Sequence, residues 1–140
     1  MNANTLIVTV DFNGLEDTRK CLRSLSKAMN LANVVVVDNA SKVDIRPVLA
    51  SEFPDAVLVR NHVNGGWSGG NNTGIRIALE RGADLVLLLN NDTTVDPRLI
   101  DRLTAAAAAF PDFGIIGPVI RYMDEPDLTM TDGVVFNRPG

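Results

Sequence analysis

Apolar and polar positions alternate along this chain in short blocks. Four apolar runs stand out, Leu6–Val10, Val34–Val37, Ala56–Val59 and Leu85–Leu89, the second being valine throughout. Runs of that length predict strands. Leu85–Leu89, apolar at every position, predicts a strand covered on both faces, as in a parallel sheet with helices above and below.

Helical periodicity fills the gaps between these runs. Over Glu16–Met29, Cys21, Leu22, Leu25 and Met29 share one face, while Arg19, Lys20, Arg23 and Lys27 fall mostly on another. Glu16 and Asp17 suit the positive amino end of that helix. Ile45–Phe53 is a weaker helix, interrupted early by Pro47. A third helix is expected from a cap at Asn71 or Asn72 through Arg81, with Ile75, Ala78 and Leu79 facing inward and Gly82 as its stop. Asp96 and Pro97 form a cap and first turn that open a fourth, running through Leu99, Ile100, Leu103, Ala105–Ala109 and Phe110. The β-α alternation predicts an α/β fold with a mainly parallel central sheet. Beyond Gly114, "GIIGPVIRY" reads as an edge strand carrying a proline and "GVVF" as one last short strand.

Parallel strands place their carboxyl ends along one edge, where ligands bind in open α/β sheets. The residues delivered there are Asp11, Phe12 and Asn13 from the first strand and Asp38 and Asn39 from the second. Asn61 follows the third strand, and Asn90 to Thr94 follow the fourth. Asp and Asn are common wherever a chain turns, so each position alone is explained by turn chemistry. The stretch "NHVNGGWSGGNN", His62 to Asn72, adds glycines at 65, 66, 69 and 70 before a helix start, which offers free N–H groups to an anion. It is neither the dinucleotide fingerprint nor the P-loop. A phosphate-bearing ligand fits, and Asp92 at the edge of such a site could anchor one hard cation such as Mg2+. An Asx turn closing the strand is the plain alternative for Asp92.

Composition narrows the partners. The 140 residues are expected to form a single domain, with 46% hydrophobic and 21% charged residues, as in an ordinary globular protein. A net charge of −4 with scattered Lys and Arg excludes a field that gathers nucleic acid. Cys21 and His62, the only cysteine and histidine, cannot build a zinc site or an internal disulfide. With no signal-type segment at the amino end, a cytoplasmic setting is expected, compatible with peripheral contact at the inner membrane.

Three segments together, "VVVVDNAS" (34–41), "NGGWSGGNNTGI" (64–75) and "LLLNNDTTVDP" (87–97), resemble the family 2 glycosyltransferases of the GT-A fold, especially their rhamnosyltransferase-like branch. The likeness spans nearly all of residues 5 to 122. It implies a Rossmann-like three-layer sandwich whose donor half binds a nucleotide-diphosphate sugar, dTDP- or UDP-linked. Asp38 would contact the base, and Val10, Asp11, Phe12 and Asn13 would lie beside base and ribose. Asn39, Asn64, Gly65, Gly70, Asn71 and Asn91 complete the implied nucleotide site. Asn90-Asn91-Asp92 stands where the family carries its DxD element, leaving Asp92 to bind Mg2+ or Mn2+ with Asn90 as a neutral helper.

The implied reaction is inverting transfer of a sugar to a saccharide or lipid-linked acceptor; a non-catalytic nucleotide-sugar binding module is the alternative. A carboxylate base for the acceptor is expected in an acidic motif further downstream. Asp124, Glu125, Asp127 and Asp132 do not form it and read as solvated loop carboxylates, so the chain is expected to end after the donor-binding half, without the acceptor half. A fold cut there exposes apolar surface that pairing with a second copy could cover. Trp67 could stack on base or sugar, but packing onto the sheet is the expectation; His62, Arg60 and Arg76 read as surface residues. A receiver-type signalling domain fails on residue identity, because no Lys follows Lys42.

Overall fold

The structure, a computed structural model, describes residues 3–131. It divides into two compact units, one ending at Ile100 and the other beginning at Asp101. The first unit carries β1 (Thr5–Asp11), α1 (Leu15–Leu25), β2 (Val34–Asp38), α2 (Arg46–Glu52), β3 (Val57–Arg60), α3 (Gly66–Glu80) and β4 (Leu85–Asn90). Helix α4 (Leu99–Ala109) follows, and the second unit adds β5 (Ile120–Arg121) and β6 (Thr129–Thr131), an antiparallel pair.

The four long strands form one parallel sheet in the order β3-β2-β1-β4. Alternate side chains of β1 and β2 feed two cores, as period-2 geometry requires. Ile7, Val34 and Val36 meet Cys21, Leu22 and Leu25 of α1, Leu49 of α2, and Ile100. Leu6, Val8, Val35 and Val37 meet Ala78 of α3 on the opposite face. Helices therefore cover both faces, and the expected three-layer parallel architecture is present.

Several local expectations are corrected. Leu85–Leu89 is not covered throughout, because β4 is a sheet edge; Leu88 is 37% exposed. Helix α1 ends at Leu25, and Met29 closes a turn back to the Leu25 carbonyl instead of extending the helix. Pro47 sits in the first turn of α2, where its missing N–H costs nothing, so it opens the helix and does not interrupt it. The edge strand expected around Pro118 shrinks to Ile120–Arg121. "GVVF", at 133–136, lies outside the described residues.

The largest correction concerns α3, which starts at Gly66, five residues before the expected cap. Gly66 opens the helix at φ 68°, the glycines at 69 and 70 lie within it, and Asn71 is a buried interior position. Glycine costs about 1 kcal/mol per helical position relative to alanine. At Gly70 and Gly74 the close approach of α3 to β1 demands it. A Cβ on Gly74 would lie 2.2 Å from Val8 Cγ1, and one on Gly70 2.6 Å from Val10 Cγ1. Leu79, expected inside, is 60% exposed, since Gly74 and Ala78 set the inward face.

Candidate functional site

Connectivity locates the site. From β1 the chain winds through β2 to β3, then crosses under α3 to β4 on the other side of β1. The winding direction therefore reverses between β1 and β4, and the crevice at such a reversal, outside the carboxyl ends of the strands, is where open α/β sheets take ligands. The parallel register sets Val10 beside Asn90, Asp11 beside Asp38 and Asp38 beside Arg60, so the polar strand ends are level with one another.

A cavity of about 340 Å³ occupies that crevice. The end of β1 contributes Val10 and Phe12, and Asn39 follows β2. Asn64, Gly66, Trp67 and Asn71 come from the approach and first turns of α3, and Leu89, Asn90, Asn91 and Asp92 from the end of β4. Phe12 and Trp67 are half exposed or more, at 51% and 61%. The volume falls within the usual range of small-molecule pockets, about 300–1,000 Å³.

Beneath the cavity lies a buried hub. Asp11 is fully buried and accepts from Thr18 Oγ1 at 2.5 Å and Ser41 Oγ at 3.0 Å, with the Gly14 N–H at 3.3 Å. Asn91 Nδ2 reaches the same carboxylate at 3.4 Å and Thr18 Oγ1 at 3.0 Å. Asp11 thus joins β1, the start of α1, the turn after β2 and the end of β4. That turn bends through Ala40 at φ 63° and is held by the Ser41 N–H on Asp38 Oδ1 at 2.8 Å.

A second clamp sets the approach to α3. Asn39 is 2% exposed; its Nδ2 donates to Asn64 Oδ1 at 2.8 Å and the Gly66 carbonyl at 3.0 Å. Its Oδ1 accepts from Asn61 Nδ2 at 3.0 Å and the Gly65 N–H at 3.3 Å. Thr73 Oγ1 completes the chain on Asn61 Oδ1 at 3.1 Å. All of Asn39's polar capacity is engaged, as a buried amide requires.

Charge at the site comes from two aspartates in opposite situations. Asp38 is 1% exposed and ion-paired with Arg60, whose second nitrogen donates to the Ser41 carbonyl at 2.8 Å. Arg60 is therefore no surface residue. Asp92 is exposed on the cavity wall, and no side-chain hydrogen bond or ion pair engages it among the described residues. Its negative charge, after burial, is the second cause that pushes the Cys21 thiol up to about 12.

Of the residues expected at a nucleotide site, Val10, Phe12, Asn39, Asn64, Asn71 and Asn91 line the cavity together with Asp92. Asp11, Asn13, Asp38, Gly65 and Gly70 are not among its lining residues. Asn13, at φ 60°, is exposed and accepts from the Lys42 N–H at 2.8 Å. Trp67, expected to pack down, is exposed and its Nε1 donates to Asn90 Oδ1 at 3.2 Å. Thr18 and Arg60 hold the site in place without any sequence motif to mark them, and Ser41 does so from the end of the "VVVVDNAS" segment; only their partners reveal the role.

Among the described residues no group of three or more His, Cys, Asp or Glu could hold a metal ion alone. A single unengaged carboxylate beside a cavity fits a hard divalent cation that shares its shell with phosphate oxygens and water. The described residues include no helix long and apolar enough to cross a membrane.

Parallel strand order, helices on both faces and a crevice at the winding reversal make this an open, doubly wound α/β fold of the GT-A type. The family model described as "Glycosyl transferase family 2" matches residues 6–137, and the chain belongs to that family. It is 32% identical over 115 residues to the low-salt glycan biosynthesis hexosyltransferase Agl10 of Haloferax volcanii, covering 81% of this chain and 36% of that protein. Among solved structures, a mannosyltransferase from Pyrobaculum calidifontis in complex with GDP-Man and Mn2+ superposes with TM-score 0.61 at 21% identity. That match covers 79% of this chain and 33% of the other. S. aureus TarS 1-349 in complex with UDP-GlcNAc gives TM-score 0.60 at 21% identity, covering 76% and 32%. The chain spans about a third of the length of these proteins.

Proposed function

We propose that this chain is the donor-binding portion of an inverting glycosyltransferase that takes a nucleotide-diphosphate sugar and passes a hexosyl or rhamnosyl unit to a saccharide or lipid-linked hydroxyl. The observation that carries this reading is the unengaged Asp92 carboxylate on the wall of the β1/β4 cavity. Family membership supports it, as do the nucleotide sugars held by the structural relatives.

Val10 and Phe12 supply the apolar surface against which base and ribose lie. Asn64, Asn71 and Asn91 offer amide groups to the ligand's oxygens, within a frame set by Asn39 and Asp11. Gly65 and Gly70 act by letting the chain pass close to its neighbours. Asp38 departs from the base contact expected of it: at 1% exposure, with Arg60 and Ser41 on its oxygens, it positions the β2 turn. Asn13 does the same from outside through Lys42.

Asp92 would hold Mg2+ or Mn2+, which supplies compensation for charge gathering on the departing diphosphate. Asn90, neutral and already accepting the Trp67 indole N–H, leaves Asp92 as the one charged ligand in its element.

Titration calorimetry tests the reading. UDP or dTDP nucleotides should bind more tightly with Mn2+ or Mg2+, and Asp92→Ala should abolish that dependence. Metal-independent binding by the parent protein would remove Asp92 from the role.

A further inference from the structure

We propose that Trp67 is the platform of the donor-sugar subsite, its indole face meeting the apolar face of the transferred hexose while Asn90 holds its edge. The inference rests on the nucleotide-sugar reading above and names a residue within it.

A tryptophan that is 61% exposed exposes a large apolar face to water. Trp67 is nonetheless fixed at both ends. Its carbonyl accepts from Asn71 Nδ2 at 2.9 Å, and its Nε1 donates to Asn90 Oδ1 at 3.2 Å. The residue before it is clamped too, since the Gly66 carbonyl accepts from the buried Asn39 amide. An indole with backbone and edge both tied loses little freedom when something stacks on it, the economy that makes rigid aromatics effective contact surfaces.

Position selects what would stack there. Asn90, which holds the indole, is two residues from Asp92, and both line the same cavity as Trp67. A diphosphate drawn to a cation at Asp92 carries its sugar one bond beyond the distal phosphate, beside this wall. The β1 end, with Phe12, offers a separate aromatic surface for the base. A hexose is uncharged and presents axial C–H groups on one face, matching an indole that has no charged side chain bonded to it. Asn90 is then a positioning residue, its amide oxygen committed to the indole and not to the metal.

The test compares each nucleotide with its own sugar conjugate: UDP with UDP-glucose, dTDP with dTDP-glucose, and GDP with GDP-mannose, all with Mn2+. Trp67→Ala should weaken the sugar conjugate about fivefold, the size of an aromatic contact of about 1 kcal/mol. It should change the bare nucleotide less than about twofold. Asn90→Ala, which frees the indole edge, should give a smaller loss in the same direction. Equal weakening of nucleotide and conjugate, or no weakening of either, would overturn the Trp67 assignment and leave the nucleotide site standing. Failure of the parent protein to bind any of the six compounds would overturn both readings. Trp67 is the only tryptophan in the chain, so emission from the parent protein provides a check that needs no variant. Saturating conjugate should alter emission more than saturating nucleotide does, and identical responses would overturn the assignment even where Trp67→Ala does not fold.

Discussion

Asn91 Nδ2 donates to Thr18 Oγ1 at 3.0 Å, and the same hydroxyl donates to the buried Asp11 carboxylate at 2.5 Å. The end of β4 is thereby tied through α1 to the end of β1, the two paired strands between which the winding direction reverses. Removing the hydroxyl leaves a buried carboxylate short of a donor. Thr18→Val, nearly the same shape, should cost about 2 kcal/mol, the scale of a hydrogen bond to a charged group. Thr18→Ser should recover most of it. Urea unfolding of the three proteins measures the difference, and a valine variant as stable as the parent would show that the hub is dispensable.

Two glycines of α3 should respond in opposite senses. A Cβ at Gly74 would meet Val8 Cγ1 at 2.2 Å, so Gly74→Ala has to push helix from sheet and should destabilise by about 1–3 kcal/mol. A Cβ at Gly69 would meet nothing within 4 Å and the residue sits inside the helix, so Gly69→Ala should stabilise by about 0.5–1 kcal/mol. Thermal melts of both variants check the sign; two shifts in one direction would contradict the packing of α3 on β1.

Arg60 neutralises an aspartate that is 1% exposed. Arg60→Met keeps the stem and strands the charge, which should cost about 3 kcal/mol. Asp38→Asn in the same background removes the stranded charge and should restore part of the loss. A double-mutant cycle in denaturant reads the coupling directly, and additive losses would mean that the ion pair contributes nothing.

The Cys21 thiol is fully buried, and its pKa is pushed up from 9.0 to about 12 by burial and then by the charge of Asp92. The native state therefore keeps a proton that the unfolded state releases, so the thiol's contribution to stability falls as pH rises from about 9 toward 12. Cys21→Ala, although less stable at pH 7 through its cavity, should lose less stability over that range. Native protein should also react slowly with a thiol reagent at pH 8 and quickly once unfolded. Rapid native labelling would show that Cys21 opens to solvent without global unfolding.

The sheet and most helices were legible because their signals are local. Val34–Val37 and the amphipathic face of Cys21, Leu22 and Leu25 declare strand and helix from spacing alone. The candidate site was legible in outline, since Asn39, Asn64, Asn71, Asn91 and Asp92 stand at strand ends or beside glycines. Arg60 and Thr18 were not, because an arginine after a strand and a threonine in a helix look ordinary until their partners are known. The glycine-rich start of α3 misled for a related reason: intrinsic propensity argues against helix, and only the nearness of Val10 to Gly70 and of Val8 to Gly74 explains why glycine is needed at those two positions.

Period and composition by themselves determined that this chain alternates strand and helix, that its sheet is mainly parallel, and that Asp and Asn gather where strands end. Those properties depend on neighbours in sequence. Which aspartate is buried and paired and which stands free at the cavity wall was decided by the tertiary structure alone. Asp38 faces Arg60 across the β2–β3 register, whereas Asp92 follows β4, the edge strand of the sheet among the described residues, and is exposed. Identical side chains acquire opposite roles because solvation and charge partners are set by packing across the sheet, not by residue type.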